Sequence, residues 1–246
     1  EAHRGMTGGR GAAEAQTLMQ RFLLGHAPDG LCKMPLVIGI SATPSRFVNL
    51  LTSSGAGHTL HQVHIKPDDV RQSGLLKDRV LIHHPESATT AEMTLLEEAA
   101  RRWAQMTTAW ASYCKEEGEQ TVWPVLVVQV DNATANAVTR TSLTDALNVI
   151  ESAIGRRLNE GEVAHAMHDT GDMDVGGRKV RKVDASRIDA DKNIGVVFFK
   201  TSLSTGWDCP RAEVMMSFRR AEDHTYIAQL LGRMVRTPLA RRIERD

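Results

Sequence analysis

Two short apolar runs that do not alternate constrain this chain more than any other feature. PLVIGI (35–40) and WPVLVVQV (123–130) place apolar residues next to one another rather than at every second position. A strand with one wetted face alternates. A continuous run is covered on both faces, as strands are inside a parallel sheet flanked by helices. Between and around these runs the pattern changes to a helical period. Ala13, Leu18, Met19, Phe22 and Leu23 predict a helix over about 12–24. Leu96, Ala99, Ala100, Trp103, Met106, Thr107, Trp110 and Cys114 predict a longer one over 90–115, and a third spans about 142–154.

Further strands are expected at VHIKPDDV (63–70), DRVLIHHP (78–85), 162–166, IGVVFFK (194–200) and AEVMMSF (212–218). HDTGDMDVGGRKVRK (168–182) reads as an exposed loop on its glycines and aspartates. The economical architecture is two α/β units joined near residues 90–120.

Composition removes several classes. The 246 residues suffice for one large or two modest domains. Lys+Arg and Asp+Glu both number 30, so no global basic field advertises nucleic acid, although a local basic groove remains compatible with it. Cys32, Cys114 and Cys209 lie far apart without a CxxC, which indicates neither a disulfide framework nor a thiolate metal site and suits a reducing cytoplasm. No apolar run approaches the ~18 residues of a membrane span. A chain that opens EAHRGM without methionine and ends IERD is expected to be a piece of a longer protein.

The chemistry concentrates in four short pieces. They are EAHR at the amino terminus, SAT at 41–43, STGWD at 204–208 and QLLGRMVR at 229–236. In the last, helical spacing puts Gln229, Arg233 and Arg236 on one face and Ile227, Leu230, Leu231 and Met234 on the other. Gly232 flanks the arginine face, where a missing side chain lets a ligand approach the backbone. For an arbitrary arginine pair the ordinary meaning is a solvated face.

The ordered set resembles the motifs of superfamily-2 DEAD/DEAH-type helicases, from the second motif, here without its first Asp, through the sixth. EAHRGM, SGLLKD (73–78) and FFKTSLSTGWDCPRAEVMMSFR (198–219) are most similar to the restriction (helicase) subunit of type III restriction enzymes. The resemblance implies tandem RecA-like domains of the P-loop NTPase fold, the first truncated at its N-terminal half. Residues 1–89 would be the rest of that domain, 90–120 a helical linker and 121–246 the second domain. It further implies ATP hydrolysis with Mg²⁺ in an interdomain cleft, coupled to movement on DNA, with double-stranded DNA favoured and a methyltransferase subunit as a possible partner. The motor would act in the cytoplasm within a restriction-modification endonuclease.

Under the same resemblance, Glu1 is the water-polarising base and His3 a nucleotide-coupling residue. Arg233 and Arg236 meet the β- and γ-phosphates, where planar guanidinium forks suit phosphate oxygens, and Gln229 orders them. An arginine finger is worth roughly 10³–10⁵ in rate in NTPases. Gly206, Asp208 and Gly232 line the nucleotide side. Ser41, Thr43, Thr201 and Thr205 couple it to the nucleic-acid backbone.

The plainer alternatives are a turn cap for Ser41 and Thr43 before Pro44, and a core position for Trp207. GMTGGRG lacks GK[ST] and is no phosphate cradle. His58, His61 and His64, like His165 and His168 with Asp169, lack the partners of a metal site. The Trp103/Trp110 stripe reads as core rather than a base-stacking platform.

The family pattern is incomplete. No GK[ST] loop occurs in these residues, nor does the Mg²⁺-holding Asp, and RIDADKN (187–193) lacks the spacing of a nuclease PD…(D/E)xK motif. The expectation is a chain that neither turns over ATP nor cuts DNA alone. A helicase or remodeller without nuclease, acting on DNA or RNA, and a non-catalytic nucleic-acid-binding module remain open.

Overall fold

The computed structural model describes residues 18–40, 45, 48–49, 52, 59–83, 92–132, 138–168, 170–201, 203, 207–219 and 230–243. The chain divides into two compact units, residues 1–64 and 65–246. In the first, helix α1 (Leu18–Leu24) leads into a 3-10 turn at Ala27–Asp29 that ends on Gly30 in the left-handed region. Arg21 reaches Asp29 at 3.0 Å across that turn.

The second unit contains helix α2 (Pro67–Gln72), helix α3 (Glu92–Glu117), strand β1 (Val125–Gln129), helix α4 (Leu143–Ile154), and strands β2 (Val163–Ala166), β3 (Met173–Asp174), β4 (Lys179–Lys182), β5 (Val196–Phe199) and β6 (Ala212–Ser217). The six strands form one sheet in the order β3-β4-β2-β5-β1-β6. All pairings are parallel except the β3–β4 hairpin at the edge.

Every residue of β1, β2 and β5 is buried, as non-alternating strands require. Leu126, Val128, Val196, Phe198, Val214 and Met216 face one core, which Leu96, Ala100 and Trp103 of α3 and Ala146, Leu147 and Ile150 of α4 close. Val125, Val127, Val197 and Phe199 face the other, closed by Leu203, Trp207, Leu230 and Met234. Ser142 caps α4 by accepting from the Asp145 N–H at 3.3 Å, and Gly155 ends the helix in the left-handed region.

Helix α3, which falls in the stretch expected to join two α/β units, lays its apolar stripe on the face of the sheet that β1 and β6 share.

Three expectations differ. PLVIGI is not a strand. Leu36, Ile38 and Ile40 are 75–84% exposed, since among the described residues no neighbouring strand meets their backbone groups. VHIKPDDV forms no strand up to Lys66 and then becomes α2, where Pro67 takes the first helical position and Asp68 and Asp69 follow in the first turn. DRVLIHHP remains without strand over 78–83, with Leu81 and Ile82 exposed. Conversely, the expected 168–182 loop contains the β3–β4 hairpin. Gly176 and Gly177, both left-handed, make the turn, and Val180 inserts into the core between the exposed Lys179 and the half-buried Arg181.

Among the described residues no helix is long and apolar enough to cross a membrane.

Candidate phosphate-facing arginine site

β5 and β6 both run parallel to β1, so the chain between them must return from the carboxyl edge of the sheet to its amino edge. Thr201 stands exposed just past the carboxyl end of β5. There Gln129 ties three strands together, donating to Lys200 O at 2.8 Å and accepting from the Ser217 hydroxyl at 2.8 Å. Leu203 and Trp207 are fully buried along the return path. Trp207 is thus a core residue, and its indole N–H has no acceptor among the described residues.

The far end of this loop meets the arginine helix. Its described part, residues 230–234, buries Leu230 and Met234 against the sheet and leaves Gly232 exposed, with open space where a Cβ would stand. Arg233 is half-buried and donates to Trp207 O at 2.7 Å. Arg236 is exposed and pairs with the Asp208 carboxylate at 2.5 Å. The fold therefore places Asp208, Gly232, Arg233 and Arg236 together, while Thr201 lies towards the other edge. Glu1, His3, Ser41, Thr43, Thr205, Gly206 and Gln229 lie outside the described residues.

The two arginines differ in what they can do. Arg233 is partly committed to a backbone carbonyl and is held in place. Arg236 has a half-exposed carboxylate partner and keeps donors facing solvent. An anion with oxygens at hydrogen-bond spacing would compete with Asp208 for that fork.

A third arginine, Arg211 at the end of STGWDCPR, does not belong to this group. Arg211 is 2% exposed and directs all five of its N–H donors to backbone carbonyls. Asp189 O, Trp123 O, Ile194 O, Ile188 O and Asp191 O accept at 3.1, 2.6, 3.0, 2.6 and 2.5 Å. Burial pushes its pKa down from the ordinary guanidinium range, opposed by Cys209, Asp189 and Asp191 nearby. It anchors the Trp207–Ala212 loop and leaves no donor for a ligand. Beside it, burial pushes the Cys209 thiol up to about 12.

Other candidates resolve into structure. His165 is fully buried, its Nε2 facing Gly171 O at 2.9 Å and its Nδ1 accepting from the Met167 N–H at 3.3 Å, which defines a neutral ring. Burial holds its pKa below the usual histidine value. Trp103 and Trp110 are buried, as expected for core. No group of three or more His, Cys, Asp or Glu suited to a metal ion occurs among the described residues.

The residues that sequence reasoning missed are charged groups inside apolar motifs. Glu213 interrupts the first half of AEVMMSF and is nearly buried, Lys77 interrupts SGLLKD, and Arg211 follows a proline. For Glu213, flanked by the core residues Ala212 and Val214, a charge between two apolar neighbours is the signal that was available; Lys77, beside the exposed Asp78, and Arg211, after the half-buried Pro210, carry no such signal.

Comparisons against protein-family models, curated proteins and solved structures each return no match to this chain.

Proposed function

We propose that this chain is part of an ATP-dependent DNA translocase or helicase motor similar to the restriction subunit of type III restriction enzymes. ATP would lie in a cleft between two RecA-like domains, with residues 121–246 belonging to the second. Arg233 and Arg236 would enter from that side onto the β- and γ-phosphates. Duplex DNA would be the track, and a methyltransferase subunit the partner that marks the recognition site.

One observation carries the reading. The Asp208–Arg236 pair, with Arg233 on Trp207 O, joins the STGWD and QLLGRMVR stretches, which the sequence resemblance alone assigns to one nucleotide site. The mostly parallel sheet is compatible with the α/β scaffold that this reading expects.

The donor chemistry fits the phosphate end of a nucleotide. Two guanidinium groups lie beside an open glycine, one of them exchangeable from its carboxylate. The Mg²⁺ end does not fall on the described residues, because no carboxylate cluster suited to a divalent ion is found among them.

The deciding experiment is ATP hydrolysis by the full-length protein with duplex DNA, single-stranded DNA and RNA. Duplex-stimulated turnover that falls by roughly 10³-fold or more in Arg236→Ala is the expected result. RNA-only stimulation would move the reading to an RNA helicase, and turnover indifferent to Arg236 would sink it. The 246-residue chain alone is expected to show no turnover, having no GK[ST] loop.

A further inference from the structure

Lys77 lies in SGLLKD, a stretch to which the arginine reading assigns no task. Its side chain is largely buried, yet its ammonium is fully engaged. Nζ donates to Pro210 O at 3.0 Å, Ala212 O at 3.2 Å and Met234 O at 2.7 Å, and it lies 3.0 Å from the Glu213 carboxylate. The other oxygen of that carboxylate accepts from the Trp110 indole of α3 at 3.1 Å. A buried ammonium tolerates such a site only when acceptors converge on it. Here they come from β6, from the loop before it and from the last turn of the arginine helix.

The backbone of the same stretch runs alongside. The Lys77 N–H donates to Val235 O at 2.7 Å, the Thr237 N–H to Leu75 O at 3.0 Å, and Leu76 pairs with Arg236 in an antiparallel bridge. Thr237 adds a hydroxyl bond to Gly74 O at 2.6 Å. Gly74 is left-handed and so close to the following chain that a Cβ would stand 2.2 Å from Arg242 N.

The arrangement grips both halves of the arginine site. Pro210 and Ala212 follow Asp208 on its loop, and Met234 sits between Arg233 and Arg236. A single cation thus sets the separation between the acid and the two bases. It also sits at the negative end of the helix, where a positive charge is favoured.

We infer that Lys77 is a positioning residue for the arginine pair, locking the Asp208 loop and the arginine helix into one register so that both guanidinium groups are pre-organised for phosphate. The inference rests on the phosphate-facing role proposed for Arg233 and Arg236. Its logic is that of electrostatic pre-organisation, in which donors fixed before the substrate arrives need no reorganisation during the reaction.

The test compares the wild type with Lys77→Met and with the double variant Lys77→Met/Glu213→Gln. The double variant removes the clamp without leaving a buried charge. In the full-length protein, kcat for ATP is expected to fall by about 100-fold in both, the cost of a ~1 Å misplacement, while KM changes far less. Lys77→Arg, which retains the cation, is expected to recover part of kcat. Amide hydrogen exchange of the 246-residue chain gives the second readout. Residues 230–237 should exchange at least about tenfold faster in the double variant while β1 and β5 keep their protection.

Unchanged exchange at 230–237 would overturn the inference whatever the turnover shows. So would faster exchange with kcat preserved, or an effect confined to KM. Wild-type protein without ATP turnover would instead defeat the motor reading, leaving exchange to decide whether Lys77 holds the helix.

Discussion

Arg211 and Arg236 sit 25 residues apart near one loop, and the fold gives them opposite tasks. One is closed off by five carbonyls; the other keeps donors in solvent beside a single carboxylate. Replacing Arg211 with Met strands those carbonyls inside the protein. Arg211→Met is expected to lose about 3–5 kcal/mol of stability, the range for removing one partner from a buried charged network. Urea unfolding followed by circular dichroism measures it. Cys209 offers a second check on the same loop. With its thiol pushed up to about 12 by burial, it forms almost no thiolate near neutral pH. Iodoacetamide should label the exposed Cys32 in the native chain and reach Cys209 only after unfolding, as peptide mass mapping would show. Neither arginine could be sorted from sequence, because the one difference between them is depth, and depth is set by where the loop turns back across the sheet.

The elements were more legible than their partners. WPVLVVQV, IGVVFFK and AEVMMSF became β1, β5 and β6 because continuous or densely apolar runs have no stable place except between two covered faces. α4, expected over about 142–154, is found at Leu143–Ile154, with Ser142 as its cap. The same rule misled at PLVIGI, where the run has the right composition but no strand beside it among the described residues. Burial is a property of the neighbours as much as of the run. The hairpin at 173–182 was missed for the reverse reason, since a two-residue strand carries too few residues to show a period.

Within β2, His165 provides a pH test. Its native pKa lies below the ordinary value of 6.5 because the buried ring resists charge. Above 6.5 both folded and unfolded chains hold it neutral, and its full contribution is present. As pH falls below 6.5 the unfolded chain takes up a proton that the native ring refuses, so stability is lost, at most by about 1.4 kcal/mol per pH unit. Unfolding midpoints measured from about pH 7.5 to about pH 5.5 should decline less steeply in His165→Gln than in the wild type.

At the scale of the whole molecule, the second unit is closed on both faces of its sheet, whereas the first exposes a row of apolar side chains. Leu36, Ile38 and Ile40, two residues apart, stand exposed on a segment whose backbone meets no strand among the described residues. Such a row is a template for pairing with another copy. Light scattering of the 246-residue chain should rise with concentration, and Ile38→Lys should suppress that rise while leaving the melting of the second unit unchanged. A variant that aggregates like the wild type would show that association begins elsewhere.

The strand order carries a consequence in time. β1 lies between β5 and β6, yet it ends at Gln129 while β5 begins at Val196 and β6 at Ala212. At a synthesis rate of about 5–20 residues per second, β1 waits roughly 4–17 seconds before its second neighbour exists. During that interval α3, made just before it, is the natural cover for one face of β1, and the other face has none until the β5–β6 loop and the arginine helix arrive. The arginine helix, which follows β6 in the chain, thus finishes the core and assembles the arginine site in the same step, so a chain halted before Leu230 would have neither.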